Sequence, residues 1–490
     1  MNTIKLVFFY YKIWNCVKFY QKKYGIVWKN TFFIYNKHEA NMALLKRKID
    51  KFLQDWKLNK ERKPLIIKGA RQIGKTTSIL DFAKNNYENV VYINFISDLR
   101  YQGCFQKGFD VETIVKELSF VNPNFQFVKN KTIIILDEIQ AYPDASTCLK
   151  FFALDKKFDV ICSGSLLGIQ YQYITSNSAG YKNEYTMQSL DFEEFLWANG
   201  YNEKQIKQIF NNMKELKPFS ENELKVLFEK FNDYIIVGGM PEIVKNFIKQ
   251  KNFSNILNQQ KELLEVYKQD IGKYAESLDR YKILKVYESI SPFLGKENKR
   301  FMFSKVEHNA RFRDYFSTME WLKDSGLINI SYLLNNVEFP FLANYDSNQF
   351  KIYHHDTSLL IASLDKETQD DLRIKKNLNT YKGAIYENIV AESLKKQEYD
   401  LFYWKNPKST IEINFIVRDI DYIVPLEIKS NNKKATSLKN FLELFKNKNV
   451  KYGIKFANSN IGFKNNIYTF PYFCIFMLRD FLKDLALKRK

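Results

Sequence analysis

The chain has 490 residues, of which 45% are hydrophobic and 27% charged, and a formal net charge of +20. That length supports about two to four domains, and the apolar content excludes a largely disordered chain. The five cysteines (Cys16, Cys104, Cys148, Cys162, Cys474) form neither a C-x-x-C pair nor a Cys/His cluster, which speaks against a disulfide frame or zinc site and fits a reducing, cytoplasmic setting.

Residues 1–41 interleave aromatic and basic side chains. The apolar run at 6–11 is broken up by Lys12, Lys18, Lys22 and Lys23, and no small-residue cleavage site follows, so a signal peptide is not expected. Such a segment can lie on a membrane surface. The preferred reading is an extension translated from an upstream start, with Met42 as the natural first residue. An amphipathic helix over 45–58 begins directly after it, with Leu44, Leu45, Ile49, Phe52 and Leu53 as its apolar residues. No run of about 20 apolar residues occurs, so no integral membrane span is expected.

Pro64 introduces a short strand over 65–68. Next comes Gly69-Ala70-Arg71-Gln72-Ile73-Gly74-Lys75-Thr76, a complete G-x-x-x-x-G-K-[ST] loop, followed by Thr77. Gly69 and Gly74 let the backbone curl around phosphates, which makes all nine residues candidates for nucleotide contact. Lys75 is placed to reach the β- and γ-phosphates, and the Thr76 hydroxyl to ligate Mg²⁺. The helix expected over 76–85 should aim backbone N–H groups at the same phosphates.

A strand is expected over 90–95, a helix over 111–121, and a strand over 132–136 that runs into Asp137-Glu138. Asp137 would hold the same Mg²⁺, and Glu138 would polarise the attacking water. A fourth strand at 160–162 enters Ser163-Gly164-Ser165, where a hydroxyl of Ser163 or Ser165 is expected near the γ-phosphate; an ordinary small turn is the alternative. Strand and helix alternate every 25–35 residues or so, which predicts an α/β fold with a parallel sheet wrapped on both faces. The ligand should lie at the carboxyl ends of those strands. Phosphoryl transfer also calls for a cation at the developing charge; Arg71, Arg280, Arg300, Arg311 and Arg313 are the candidates, and spacing does not choose among them.

Residues 201–290 read as a charged helical lid, interrupted by a tight turn at Gly238-Gly239-Met240-Pro241. Short helices over 310–316 and 318–322, then a strand from Gly326, suggest a winged-helix-like module at 291–350. From 351 to 475 a helix (383–394) and strands (401–404, 411–417, 423–428) follow, and 476–490 reads as a basic tail. Glu387 lies on the helix, Glu412 and Asn414 on one strand, and Glu427 and Lys429 end the next. Acid, acid and E-x-K on adjacent strands is how restriction-type nucleases assemble a magnesium site. Asn414 is a weaker ligand for a hard cation than an acid, though Glu412 should face the same side of the strand. An inactive nuclease-like fold is the preferred reading; an ordinary charged surface and a working nuclease are the alternatives.

The segments 69–77, 135–140, 163–168, 190–195, 237–242, 353–360, 383–391 and 425–430 together resemble a prokaryotic group of AAA-type P-loop ATPases. That group couples an ATPase domain to a C-terminal domain of unknown function ending in a restriction-endonuclease-like (PD-(D/E)xK-type) module. The resemblance covers most of the chain from residue 42. It implies a P-loop ATPase domain (42–200), the lid, the winged helix and the nuclease-like end, with ATP and Mg²⁺ as cofactors. Lys75, Thr76, Asp137 and Glu138 are the matching nucleotide residues. Family members carry E-I-D-F where this chain has Glu412-Ile413-Asn414-Phe415, which argues against metal-dependent cleavage.

The expectation is a Mg²⁺-dependent ATPase that couples nucleotide state to a DNA-contacting C-terminal module. The net charge favours an anionic partner, although abundant Lys, Asn, Ile, Tyr and Phe is also what A/T-rich coding DNA yields. The alternatives are a nucleotide-driven switch that binds a protein partner or assembles with itself, and an ATP-gated endonuclease.

Overall fold

Two sheets organise the described residues of the computed structural model, which are 44–165, 180–274, 279–374, 379–429 and 435–489. The chain divides into the units Met1–Leu45 and Lys46–Lys490, and both sheets lie in the second. The reading of residues 1–41 falls outside the described residues.

The first sheet is built from α1 (Lys48–Leu58), β1 (Leu65–Gly69), α2 (Lys75–Asn86), β2 (Asn89–Asn94), α3 (Val111–Val121), β3 (Thr132–Asp137), α4 (Cys148–Asp155), β4 (Asp159–Ser165) and β5 (Asn183–Thr186). Its order is β2-β3-β4-β1-β5 and every pair is parallel. All six residues of β3 are buried, which suits a central strand covered on both faces. Ile134, Val91, Ile66 and Cys162 enter a core shared with α3 and α4. On the alternate parity, α2 packs against β1, β2 and β4 and meets α1 through Trp56 and Phe82. Each fully buried Ile or Leu here contributes about 1.5–3 kcal/mol.

Ser163-Gly164-Ser165 is not the small turn of the alternative reading. The three residues complete β4, and pairing with β1 runs on to Gly69 opposite Ser165. The parallel neighbour keeps offering backbone partners, and these override the turn tendency of Ser and Gly.

A helical stretch follows: α5 (Phe192–Ala198), α6 (Glu203–Lys214), α7 (Glu221–Val237), α8 (Pro241–Gln250), α9 (Phe253–Tyr274) and α10 (Asp279–Leu294). Capping boxes open α5, α6 and α7 at Asp191/Glu194, Asn202/Gln205 and Ser220/Glu223. Gly238, at φ +73°, breaks α7, and Pro241 opens α8.

Where a helix was expected over 310–316 there is a single 3-10 turn, Phe312–Asp314, then α11 (Phe316–Asp324). Buried Tyr315, at φ −125° and ψ 6°, separates the two. The remaining elements are β6 (Ile328–Leu334), β7 (Tyr345–His354), α12 (Thr357–Ala362), α13 (Lys366–Ile374), α14 (Asn379–Lys396), β8 (Leu401–Lys405), β9 (Glu412–Arg418), β10 (Ile423–Lys429), α15 (Thr436–Leu444), β11 (Gly453–Ala457), β12 (Gly462–Lys464), β13 (Ile467–Pro471) and α16 (Leu478–Leu487). Their strands form a mixed eight-stranded sheet in the order β12-β13-β11-β10-β9-β8-β6-β7.

Two expected boundaries are corrected by this sheet. A division at 350/351 falls inside β7, and β6 pairs in parallel with β8, so 291–350 is not a separate module. The basic tail at 476–490 contains α16, which buries Leu478, Phe481, Leu482 and Ala486. Lys483 occupies the solvent side of this amphipathic helix.

Candidate active site

The glycine loop follows β1 at its carboxyl end, between β4 and β5, and Asp137-Glu138 stand at the end of β3. The parallel sheet thus brings both motifs to one edge, which spacing alone did not guarantee. Gly74 (φ +89°) and Gln72 (φ +61°) supply the left-handed backbone of the bend. A Cβ on Gly69 would stand 2.3 Å from the Met187 carbonyl, so only glycine fits there. No side chain caps α2, which leaves its first-turn N–H groups for an anion. Ile73 and Ala70 are buried under the loop, whereas Gln72 and Thr77 are exposed.

Lys75 lies almost buried, and its Nζ donates to the Gly69 carbonyl at 3.1 Å and the Ala70 carbonyl at 2.8 Å. Burial pulls its ammonium down to about 8, against the opposing fields of Glu138 and Asp137. Asp137 is ringed by donors. Thr76 Oγ1 lies 3.2 Å from its Oδ2, Tyr92 OH 2.7 Å and Asn94 Nδ2 3.1 Å, and Ser163 Oγ donates to Oδ1. The hard oxygens of Thr76 and Asp137 suit Mg²⁺, and Lys75 with the loop N–H groups suits a triphosphate. In such a complex the metal would offset charge on the phosphate oxygens.

Glu138 occupies the left-handed region at φ +55°. Gln140 Nε2 donates to Glu138 Oε2, while Gln140 Oε1 accepts from the Ser165 N–H at 3.2 Å. Gly164 is the reason this bridge fits: a Cβ there would lie 2.9 Å from Gln140 Oε1. Ser165 therefore meets this network through its backbone, and Ser163 through its hydroxyl. Tyr92, Asn94 and Gln140 were not anticipated. Asn94 and Gln140 left a faint signal, being polar residues at or just beyond the ends of strands.

Contacts from distant segments hold the loop. Arg47 Nη1 donates to the Ile73 carbonyl at 2.9 Å and Nη2 to the Gln188 carbonyl at 2.7 Å, with Nε on Glu194 at 3.0 Å. Arg71 pairs with Asp270 of α9, and Tyr267 OH donates to the Arg71 carbonyl at 2.8 Å. One segment further, the Leu190 N–H donates to the Gly239 carbonyl (2.7 Å), and the Leu190 carbonyl accepts from Tyr234 OH and Lys396 Nζ, both at 2.8 Å. Buried Asp356 accepts from Ser189 Oγ at 2.7 Å and the Gly239 N–H at 3.0 Å. Sheet, lid and C-terminal part meet at this polar joint.

The expected C-terminal constellation is only partly assembled. Glu387 and Glu412 converge, but on Lys351, whose Nζ lies 2.9 Å from Glu387 Oε1 and 2.5 Å from Glu412 Oε1. Asn414 Oδ1 is engaged by the Ile428 N–H at 2.9 Å. Glu427 pairs with Lys429 at 2.8 Å. Among the described residues no group of three or more His, Cys, Asp or Glu is arranged to hold a metal ion. Of the candidate arginines, Arg71 is engaged with α9, Arg280 packs over Gly272, and Arg311 and Arg313 are exposed.

Comparison with known proteins agrees with the first site. Residues 61–196 match the model of an AAA domain. This part of the chain is similar to an AAA-type P-loop domain. Residues 228–370 and 382–475 match two domains of unknown function, DUF8612 and DUF4143. The uncharacterized protein MJ1544 of Methanocaldococcus jannaschii is 24% identical over 367 residues, which are 72% of this chain and 71% of the relative. The Walker-type ATPase PABY2304 of Pyrococcus abyssi is 15% identical, with a TM-score of 0.38 over 65% of this chain and 96% of its own. The Aeropyrum pernix ORC1 protein, solved in complex with DNA, is 9% identical with a TM-score of 0.29 over 69% of this chain and 92% of its own. Among the described residues no helix is long and apolar enough to cross a membrane.

Proposed function

We propose that the protein is a Mg²⁺-dependent ATPase whose nucleotide state is passed through the helical lid to a nucleic-acid-contacting C-terminal region. The observation that carries this reading is the convergence of Lys75, Thr76, Asp137 and Glu138 at one sheet edge. In the proposed roles, Lys75 and the loop N–H groups bind the phosphates, and Thr76 and Asp137 hold the metal. Glu138 takes the proton of the attacking water, and Ser163 and Ser165 support the strand end beside it. The polar joint at Leu190, Gly239 and Asp356 supports transmission, because a shift in the loop meets the lid and the second sheet through direct hydrogen bonds. The net charge of +20 supports an anionic partner. In this reading α10, α11 and the β6–β7 hairpin act as a winged-helix-like unit fused to a nuclease-like sheet.

The test is ATP turnover with and without duplex, branched and single-stranded DNA, for the wild type and Glu138→Gln. Stimulation by DNA, with affinity that falls steeply as salt rises, is the expected result. If DNA neither binds nor alters turnover, the nucleic-acid coupling is wrong and the protein-partner switch takes its place.

A further inference from the structure

We infer that Lys351 is a built-in counterion that closes the Glu387–Glu412 carboxylate pair to divalent cations. Both oxygens of Glu387 are filled. Oε1 accepts from Lys351 Nζ at 2.9 Å and Tyr353 OH at 2.7 Å, and Oε2 accepts from Lys299. The same Lys351 ammonium lies 2.5 Å from Glu412 Oε1, so it bridges the two acids as a metal ion would. The Lys351–Glu387 arm of the bridge is interior, with side chains 3% and 2% exposed, while Glu412 is 32% exposed. Burial alone would raise the Glu387 carboxyl, yet Lys299 and Lys351 hold it well below the usual carboxylate range.

Charge decides the matter. Two carboxylates and two ammoniums cancel, whereas a hard dication is held by sites with a net negative set of oxygen ligands. A cation entering here would have to displace Lys351 from a buried pair, leaving an ammonium without its partners, which is strongly unfavourable. The neighbouring groups do not offer a second seat. Asn414 Oδ1 is taken by the Ile428 N–H. Among the described residues no hydrogen bond reaches either oxygen of buried Glu427, but Lys429 stands 2.8 Å away and supplies the opposite charge. Lys351 and Tyr353 sit on β7, Glu387 on α14 and Glu412 on β9, so no local motif announces the arrangement.

The experiment is Mn²⁺ binding followed by electron paramagnetic resonance, without nucleotide, on the full chain. The wild type should leave the added Mn²⁺ free. Lys351→Met should gain a bound Mn²⁺, with affinity raised about tenfold or more (roughly 1.4 kcal/mol), and Lys351→Met combined with Glu412→Gln should lose it again. A wild-type chain that binds Mn²⁺, with binding abolished by Glu387→Gln, would overturn the inference. So would a Lys351→Met variant that keeps the wild-type circular dichroism and still binds no Mn²⁺. The wild-type measurement decides the question even if Lys351→Met does not fold. None of these readouts depends on ATP turnover, so the result stands apart from the function proposed for the first sheet.

Discussion

Arg71 stands within the phosphate loop, and its guanidinium is paired with Asp270, 199 residues further along the chain on α9. One turn earlier on the same helix, Tyr267 OH donates to the Arg71 carbonyl. The loop is therefore tied to the lid by both a side chain and its backbone. A charge-assisted bond of this kind contributes about 1.5–3 kcal/mol. Adding Mg-ATP should slow hydrogen exchange along α9 in the wild type. In Asp270→Ala the protection should be confined to the loop and α2; unchanged protection of α9 would separate lid from loop.

Lys75→Ala should abolish nucleotide binding in calorimetry, because the buried ammonium is the cation best placed for the phosphates. Glu138→Gln should bind normally and turn over about 10²–10⁴ times more slowly, the usual contribution of a general base. Equal turnover in both variants and the wild type would refute these roles.

The Lys75 ammonium, lowered to about 8 by burial, predicts how affinity follows pH. Below about pH 7 the group is cationic and competent; as pH rises through 8 it loses its proton and the phosphates lose their cation. Affinity should fall by up to about tenfold per unit above that point. Phosphate binding restores the charge, so protons should be taken up on binding near pH 8.5 or so. Calorimetry in buffers of different ionisation enthalpy reads this directly, and proton release instead would contradict the assignment.

Gln140 holds Glu138 from one side and the Ser165 N–H from the other. Gln140→Ala should lower kcat about 5–50-fold through misplacement of the carboxylate, with little change in KM. A matched rise in KM would mean a structural role only.

Gly239→Ala should destabilise the protein by about 1–3 kcal/mol in urea unfolding. Its Cβ would stand 2.1 Å from the Leu190 carbonyl, a backbone atom that cannot swing aside. A neutral substitution would show that the joint is looser than drawn.

The chain order of glycine loop, apolar strand and acidic pair was enough to anticipate the parallel sheet and where its ligand should lie. Each of those signals is local: a glycine pattern for the bend, β-branched residues for buried strands, an acid at the strand end. Ser163-Gly164-Ser165 has the composition of a turn, yet its glycine answers to Gln140 across the sheet. The winged-helix boundary misled for a related reason: β6 finds its parallel partner in β8, some seventy residues later.

Sequence by itself determined the edge proposed to face the nucleotide, since residues adjacent in the chain carry its chemistry and need only the strand ends to align them. Tertiary structure alone decided which charges neutralise which. The pairing of Arg71 with Asp270, the burial of Asp356 against Gly239, and the seating of Lys351 between Glu387 and Glu412 all join segments far apart in the chain. Each depends on desolvation and distances below about 3 Å, and spacing along a chain encodes neither.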